Sequence, residues 1–234
     1  MGAPYHQFCP VAKTMELLDE RWTVLLVREL VLGSTRFGEL RRGLPRMSPT
    51  LLSRRLHQLA AAGLVQRREA AGEVRYVLTE AGRDLEPVVR SLSTWGARWI
   101  GELGDRDLDP KLLLWDMHRR VDARAVPAGR SVVEVRFSDV PEHPTWWLVV
   151  DSAPPSLSVD VCDRDPGHEP VVRVRTSLRC LTDVWRGALS WEAALRSQRL
   201  RLLGESALCR RFPGWFALPE YAVPAPAPAP APSG

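Results

Sequence analysis

Apolar residues near the start of the chain recur every three or four positions, which is the spacing of one face of a helix. Between residues 10 and 32 this spacing predicts a single amphipathic helix, which Gly33 ends. Its apolar members are Val11, Met15, Leu18, Trp22, Leu25, Leu26 and Leu30. A short helix should follow, with Phe37 and Leu40 facing inward, before Gly43-Leu44-Pro45. The chain therefore opens with two predicted helices that each bury one side.

A third helix is predicted from Ser48 to Gly63. Ser48 is a favoured N-cap residue, and Pro49 occupies the first helical position, where its missing N–H is not needed. Helical spacing places Leu52, Leu56 and Leu59 on the buried side. The positions that face outward or obliquely are Thr50, Ser53, Arg54 and His57.

After Gly63 the apolar period changes to two, which is typical of strands. Residues 64 to 68 and 74 to 79 predict a hairpin with its turn at residues 70 to 73. Three helices followed by a basic hairpin predict a winged helix-turn-helix. Thr79 then caps a predicted long helix that runs through Leu85 to Trp99 and carries Pro87 in its second turn. The apolar stripes of this helix and of the first helix form the predicted dimer surface.

In the second half of the chain the apolar pattern predicts a separate α+β sandwich, because a run of predicted strands is followed by predicted helices at the C-terminal end. A helix is predicted at residues 112 to 121, strands at 132 to 137, 146 to 150, 157 to 161 and 171 to 176, helices at 178 to 186 and 190 to 196, a strand at 199 to 203 and a helix at 206 to 212. We therefore predict an α+β chain with a DNA-binding and dimerisation domain at 1 to 101, a linker at 102 to 110, a second domain at 111 to 221 and an extended Ala-Pro tail at 222 to 234.

Composition narrows the class of protein. No apolar run approaches the roughly 18 to 20 residues of a bilayer span, and the N-terminus lacks the pattern of a secretory signal, so a cytoplasmic protein without membrane contact is expected. The four cysteines show no metal-ligand spacing, and no structural disulfide, metal or cofactor is predicted. The sequence also lacks a nucleophile elbow and a phosphate loop, so an enzyme is not predicted.

Positive charge is concentrated in the first half. Residues 1 to 101 contain fifteen Lys and Arg against ten Asp and Glu, whereas the rest has seventeen against eighteen. Between Arg36 and Arg68 there are eight arginines and one acid, Glu39. Arginines clustered around a short helix and a hairpin are typical of a protein that binds duplex DNA. The predicted DNA-binding residues are Arg36, Arg41, Arg42, Arg46, Ser48, Thr50, Ser53, Arg54, Arg55, His57, Arg67, Arg68 and Arg75.

Within this set the N-terminal part of the third helix should lie closest to the base edges, and Arg54 is the best candidate for a guanine contact. Arg36, Arg41, Arg42, Arg46 and Arg55 suit phosphates. Arg67, Arg68 and Arg75 belong to the predicted wing. The alternative is a solvated charged face, in which some of these arginines only pair with nearby glutamates.

The first 100 residues resemble the HxlR-type winged helix regulators, which are relatives of the MarR group. The matching segments are Cys9-Pro10-Val11-Ala12, Arg21-Trp22-Thr23, Arg28-Glu29-Leu30 with Gly33, Arg36-Phe37-Gly38-Glu39-Leu40, Ser48 to Leu56, Gly63-Leu64-Val65 and Tyr76 to Gly82. The resemblance implies a homodimeric transcription factor. The wing here lacks the proline that many members of the family carry.

The second half resembles a sterol-carrier-protein-type-two-like domain through Trp191 to Leu195, the strand at 199 to 203 and Gly204 to Leu208 before Phe212. That resemblance implies an apolar tunnel for lipid-like molecules. Trp146, Trp147 and Trp185 are candidate ligand-binding residues, and the alternative is that they pack the core. Trp146 and Trp147 are adjacent on a strand, so only one of them can face a tunnel.

Cys9 stands where the resembling family has a cysteine that some members use as a redox or electrophile sensor. The alternative is a small buried hydrophobe in the dimer contact. Together these observations predict a homodimeric regulator, a repressor in preference to an activator, that binds a palindromic operator. Its second domain either binds a small apolar effector that modulates DNA binding, or it is ligand-blind and serves only dimerisation or protein contact.

Overall fold

The computed structural model describes residues 4 to 70, 72 to 100, 103 to 152, 157 to 219 and 222. It divides into two compact units, Met1–Gly96 and Ala97–Gly234. Apart from Ala222, the predicted Ala-Pro tail lies outside the described residues. No helix in the described ranges combines the length and the apolar character that crossing a bilayer requires.

The first unit begins with two helices where the apolar stripe predicted one. Helix α1 is Pro10–Leu18 and helix α2 is Thr23–Val31. The prediction of a continuous helix over residues 10 to 32 was wrong because Trp22 adopts φ +78°, a left-handed conformation that a right-handed helix cannot contain. Val11 and Met15 are exposed, since α1 buries only Ala12 and Leu18.

Helix α3 is Phe37–Gly43 and helix α4 is Pro49–Ala61. At the start of α3 the Glu39 carboxylate accepts hydrogen bonds from the backbone N–H groups of Thr35 (2.8 Å) and Arg36 (2.9 Å). At the start of α4 the Ser48 hydroxyl accepts one from the N–H of Leu51 at 3.3 Å. The predicted N-cap of the third helix is thus confirmed.

The predicted hairpin is also confirmed. Strands β1 (Val65–Ala70) and β2 (Glu73–Leu78) are antiparallel, with Val65 opposite Leu78 and Ala70 opposite Glu73. Gly72 has φ +77°, which a tight turn between two strands requires and which glycine adopts without strain.

The helix predicted after the hairpin is divided in two. Thr79 caps the short α5 (Glu80–Arg83) by accepting a hydrogen bond from the N–H of Gly82 at 3.1 Å. Helix α6 then spans Glu86–Trp99. The prediction of a single helix starting at Thr79 was wrong, because Pro87 has no N–H group with which to continue the helical hydrogen bonds. Pro87 instead lies in the first turn of α6, where that N–H would have no partner.

The second unit is built on a five-stranded mixed sheet. Its strands are β3 (Arg130–Phe137), β4 (Thr145–Asp151), β5 (Ser158–Cys162), β6 (Val172–Thr176) and β7 (Leu200–Gly204), and its helices are α7 (Pro110–His118), α8 (Leu178–Trp185), α9 (Trp191–Arg196) and α10 (Ser206–Arg211). The order across the sheet is β5-β4-β3-β6-β7, with β3 and β6 parallel and the other neighbours antiparallel. The α+β class is confirmed.

One face of this sheet carries the core of the second unit. Val133, Val135 and Phe137 of β3 are at most 1% exposed. They belong to a hydrophobic core that also contains Phe212 and Trp215, which follow α10. Residues at the alternate positions of β3, such as Glu134 and Arg136, lie on the opposite face and are half-buried or exposed. That opposite face is therefore where polar side chains of the sheet collect.

Candidate functional site

Helix α4 has two chemically distinct faces. Leu52, Leu56 and Leu59 are at most 3% exposed and join the core of the first unit. The exposed positions at the start of the helix and along its other side are Ser48, Thr50, Ser53, Arg54 and His57. This division was predicted from the spacing of the leucines, and the structure confirms it. No hydrogen bond or ion pair holds the Arg54 side chain to any residue that the structure describes.

Arg55 does not lie on that outer face. It is 6% exposed, and its Nε donates to the carbonyl oxygen of Arg21 at 3.3 Å. Its Nη1 donates to Gln58 Oε1 at 2.6 Å and forms an ion pair with Glu20. The prediction that Arg55 contacts a phosphate must be corrected, because its guanidinium is occupied in joining α4 to the segment between α1 and α2.

A buried carboxylate of α2 lies beside the last residue of α3. Glu29 is 1% exposed, pairs with Arg28 at 2.8 Å and accepts a hydrogen bond from the Ser34 hydroxyl at 3.4 Å. A Cβ atom on Gly43 would lie 1.8 Å from Glu29 Oε2, so any side chain at the end of α3 would require the Glu29 carboxylate to move. The apolar pattern gave no indication of this contact, because it treats Glu29 as a surface residue.

The arginines of α3 and of the segment after it, Arg36, Arg41, Arg42 and Arg46, are all exposed. Arg36 is bound to the hairpin. Its Nη2 donates to both carboxylate oxygens of Glu73 at 2.9 Å, and Arg75 donates to Glu73 at 3.0 Å. The hydrogen bonds from Arg36, and after them those from Arg75, lower the pKa of Glu73 below its usual value. Glu73 therefore pairs with two of the predicted DNA-binding arginines and offsets the charge of one of them.

Backbone contacts support this link. The N–H of Tyr76 donates to the carbonyl oxygen of Thr35 at 2.7 Å, and Arg36 forms an isolated β-bridge with Arg75. The start of α3 is thus attached to the hairpin in a fixed register. Sequence spacing alone could not reveal it, because residues 36 and 73 are far apart along the chain.

The two faces of the hairpin differ in charge. Since side chains alternate along a strand, Arg68 and Arg75, which are directly opposite each other, share one face with Glu73. Arg67 points to the other face, where Glu69 pairs with it at 3.1 Å. The first face carries two arginines against one glutamate, and the second carries one against one. The three predicted wing arginines therefore do not act on one surface.

The remaining candidates lie apart from this region. Cys9 is half-buried and immediately precedes α1. In the second unit, Trp146 and Trp185 are in the core, where the Trp146 Nε1 donates to the carbonyl oxygen of His143 (3.1 Å) and the Trp185 Nε1 donates to Asp116 (2.7 Å). Trp147 is half-buried on the opposite face of the sheet. No group of three His, Cys, Asp or Glu side chains placed to hold a metal occurs in the described ranges.

The first unit combines helices α1 to α3, the capped helix α4 with its polar outer face, and a basic hairpin attached to the start of α3. This arrangement is a winged helix-turn-helix, the architecture of a class of DNA-binding proteins. Comparison with known proteins agrees. The family model for the HxlR-like helix-turn-helix matches residues 17 to 103. YvaP of Bacillus subtilis, named an uncharacterized HTH-type transcriptional regulator, is 37% identical over 98 residues, which are 40% of this chain and 91% of YvaP.

YdeP of Bacillus subtilis, named in the same way, is 33% identical over 94 residues, which are 39% of this chain and 73% of YdeP. The solved structure of the reduced form of the B. subtilis regulator YodB has 29% sequence identity and a TM-score of 0.37, and the match covers 41% of this chain and all of that chain. The chain belongs to the HxlR-like helix-turn-helix family and is a DNA-binding transcriptional regulator. The family match ends at residue 103.

Proposed function

We propose that the protein is a homodimeric repressor that binds a palindromic operator by inserting α4 into the major groove. The observation that carries this proposal is the outer face of α4, which exposes Ser48, Thr50, Ser53, Arg54 and His57 at the capped end of a rigid helix. Polar side chains at the N-terminal part of such a helix reach base edges, and an arginine can donate two hydrogen bonds to guanine. Arg54 is the proposed guanine contact.

The phosphate contacts are assigned to the exposed arginines around α3 and on the cationic face of the hairpin. Arg41, Arg42 and Arg46 lie at the end of α3 and before α4. On the hairpin, Arg68 and Arg75 share the face with excess positive charge, whereas Glu69 balances Arg67 on the other. These contacts set affinity and its dependence on salt, and they carry no information about sequence.

DNase footprinting of the full chain on genomic DNA upstream of its own gene tests the proposal. A protected site made of two inverted half-sites one helical turn apart, together with lower transcription from the adjacent promoter when the protein is present, is the expected result. Protection of a single unrepeated site, or binding without any sequence preference, would contradict it.

Replacing Glu73 by Gln should steepen the salt dependence of DNA binding. The change removes the single negative charge that Arg36 and Arg75 share, so the net charge of this surface rises by one and one more phosphate can be neutralised. The slope of log K against log salt concentration should grow by about 1, since each added phosphate contact contributes about 0.9. Fluorescence anisotropy titrations at several salt concentrations measure this slope.

Glu69→Gln is the matched control, because it releases Arg67 on the opposite face of the same hairpin. The slope should stay unchanged in this variant. Equal slopes for the two variants would show that the hairpin does not present the proposed face to DNA.

The homodimer is supported by an apolar stripe that is exposed on α6 among the described residues of the first unit. On α6, Val88, Leu92 and Trp95 are 47%, 53% and 59% exposed and lie on one side of the helix. A groove beside them is lined by Leu18 of α1 and by Val24 and Val27 of α2, among others. An exposed apolar surface of this kind marks a protein contact. A symmetric dimer that binds two DNA half-sites needs such a contact to fix the distance between its two recognition helices.

Leu92→Glu should convert the dimer to a monomer. In a two-fold interface each substitution acts twice, and every copy loses an apolar contact and brings in a charge, so the dissociation constant of the dimer should rise at least about 100-fold. Light scattering after size-exclusion chromatography measures the mass. Thr94→Glu, an exposed position on the other side of α6, should leave the dimer intact. A dimeric Leu92→Glu protein would place the interface elsewhere.

For the second unit the sterol-carrier-like fold and an apolar effector remain predictions, as does a ligand-blind role in dimerisation or protein contact. Of the three candidate tryptophans, Trp147 alone lies on the face opposite the core. The redox function of Cys9 also stays a prediction, and its half-buried position fits the alternative of a packing residue equally well.

A further inference from the structure

Three arginines form a row across the sheet of the second unit. Arg136 of β3 lies opposite Arg175 of β6, and Arg175 lies opposite Arg201 of β7. All three are on the face away from the core, where neighbouring strands are about 4.8 Å apart. The row exists only because β6 lies between β3 and β7, so three distant segments contribute one arginine each.

Such a row costs stability unless negative charge lies beside it, because like charges at directly opposite positions repel each other. Glu134 pairs with Arg175 at 2.5 Å and so compensates the middle arginine. Within the described ranges, no hydrogen bond or ion pair joins Arg136 or Arg201 to another side chain. The two outer guanidinium groups therefore keep their donors available for an anion.

The row forms one wall of an open pocket of about 340 Å³. The pocket is lined by Arg136, Ser138, Arg175, Thr176, Ser177, Gln198, Arg199 and Arg201, a set with four arginines and no acidic residue. Arg199 has a carboxylate only at 3.7 Å, on Asp183. A volume of this size lies at the lower end of the range of small-molecule sites.

Gln198 supplies a second, independent indication. It has φ +57° and follows the C-cap of α9, a position where glycine or asparagine is usual because other side chains are strained there. Gln198 is one of the residues that line the pocket. A residue held in an unfavourable conformation at the edge of a pocket is a common feature of ligand sites, and the amide adds a neutral donor beside the arginines.

We propose that this pocket binds a small oxyanion with at least two negative charges. Guanidinium groups donate paired, nearly parallel hydrogen bonds to the oxygens of phosphoryl and carboxylate groups, and these two groups share the chemistry that the row selects. The volume of the pocket matches a metabolite-sized anion. This site uses none of the residues assigned to DNA contacts and gives the second unit a charged ligand in place of the apolar one.

Isothermal titration calorimetry of the full chain with pyrophosphate and with citrate, at constant ionic strength, tests the proposal. Saturable one-site binding of either anion is expected. The anion with the higher affinity shows whether the site prefers phosphoryl or carboxylate groups. Arg136→Ala and Arg201→Ala should each weaken binding at least 10-fold. Arg164→Ala, which removes an exposed arginine of the same unit outside the pocket, should leave it unchanged.

Thermal unfolding separates a lost site from a lost fold. Without anion, the Arg136→Ala/Arg201→Ala protein should melt no lower than the wild type, because the substitutions relieve repulsion; with anion, only the wild type should gain stability. Equal binding by wild type and double variant overturns the proposal, and so does an absence of binding to the wild type. Loss of affinity for duplex DNA in the double variant without any anion binding would assign the row to the nucleic acid instead.

Discussion

Arg55→Ala is expected to lower the free energy of unfolding of the first unit by about 2 to 4 kcal/mol. The substitution removes the ion pair with Glu20 and the donor to the carbonyl oxygen of Arg21, in a part of the unit where Arg55 itself is 6% exposed. Removing one partner of a buried pair costs about 3 to 5 kcal/mol, and the lower range applies because the Glu20 side chain is 24% exposed. Urea unfolding followed by circular dichroism measures the change.

Two further variants identify the source of that loss. Glu20→Ala should also destabilise, and the double variant should cost less than the sum of the two single changes by about 1 kcal/mol or more, as expected for residues in contact. Strict additivity would show that the ion pair is not what the loss of Arg55 removes. Arg54→Ala, one residue earlier and exposed, should change stability by less than about 0.5 kcal/mol.

Arg54→Ala should weaken operator binding by a factor of about 5 to 150. A two-fold hydrogen-bonded contact between arginine and a base contributes about 1 to 3 kcal/mol of discrimination, and alanine cannot replace it. Binding to unrelated duplex DNA should fall far less, because that binding rests on phosphates. Competition gel shifts with the operator and with scrambled DNA measure both affinities on the same protein.

Arg41→Ala is the comparison for a phosphate contact. It removes an exposed arginine of α3, and it should weaken operator and scrambled DNA by the same factor while reducing the salt slope by about 1. If Arg54→Ala behaves in the same way, the Arg54 side chain contacts the phosphate backbone of the DNA, and other residues of α4 recognise the base sequence.

These two neighbouring arginines show how far the sequence predicts the site. The leucine spacing was sufficient to place Leu52, Leu56 and Leu59 in the core and Arg54 outside it. Arg55 lies three residues after Leu52 and four before Leu59, so it stands at the edge of the buried stripe. Whether such a residue faces water depends on a partner elsewhere in the chain, and the Glu20 and Arg21 groups that bury it cannot be inferred from helical periodicity.

The helix boundaries show a similar limit. Apolar spacing found α3 and α4, and residue type identified the Ser48 cap of α4. The spacing passed over the break at Trp22, because three- and four-residue steps continue across a short turn. In the second unit, alternation located the strands well. It could not show that β3 and β6 are parallel neighbours, since pairing between distant strands is a property of the packed sheet.

The charge pattern on each face of the hairpin depends on the register in which β1 pairs with β2. With only two residues between β1 and β2, the loop cannot absorb an insertion without moving one strand past the other. One extra residue between Arg68 and the turn would move Arg68 off the cationic face and place Arg67 there, and it would also turn Val65, which is 3% exposed, out of the core. Length variation in this strand therefore keeps the charge of the face and removes a core contact, although no residue has been substituted.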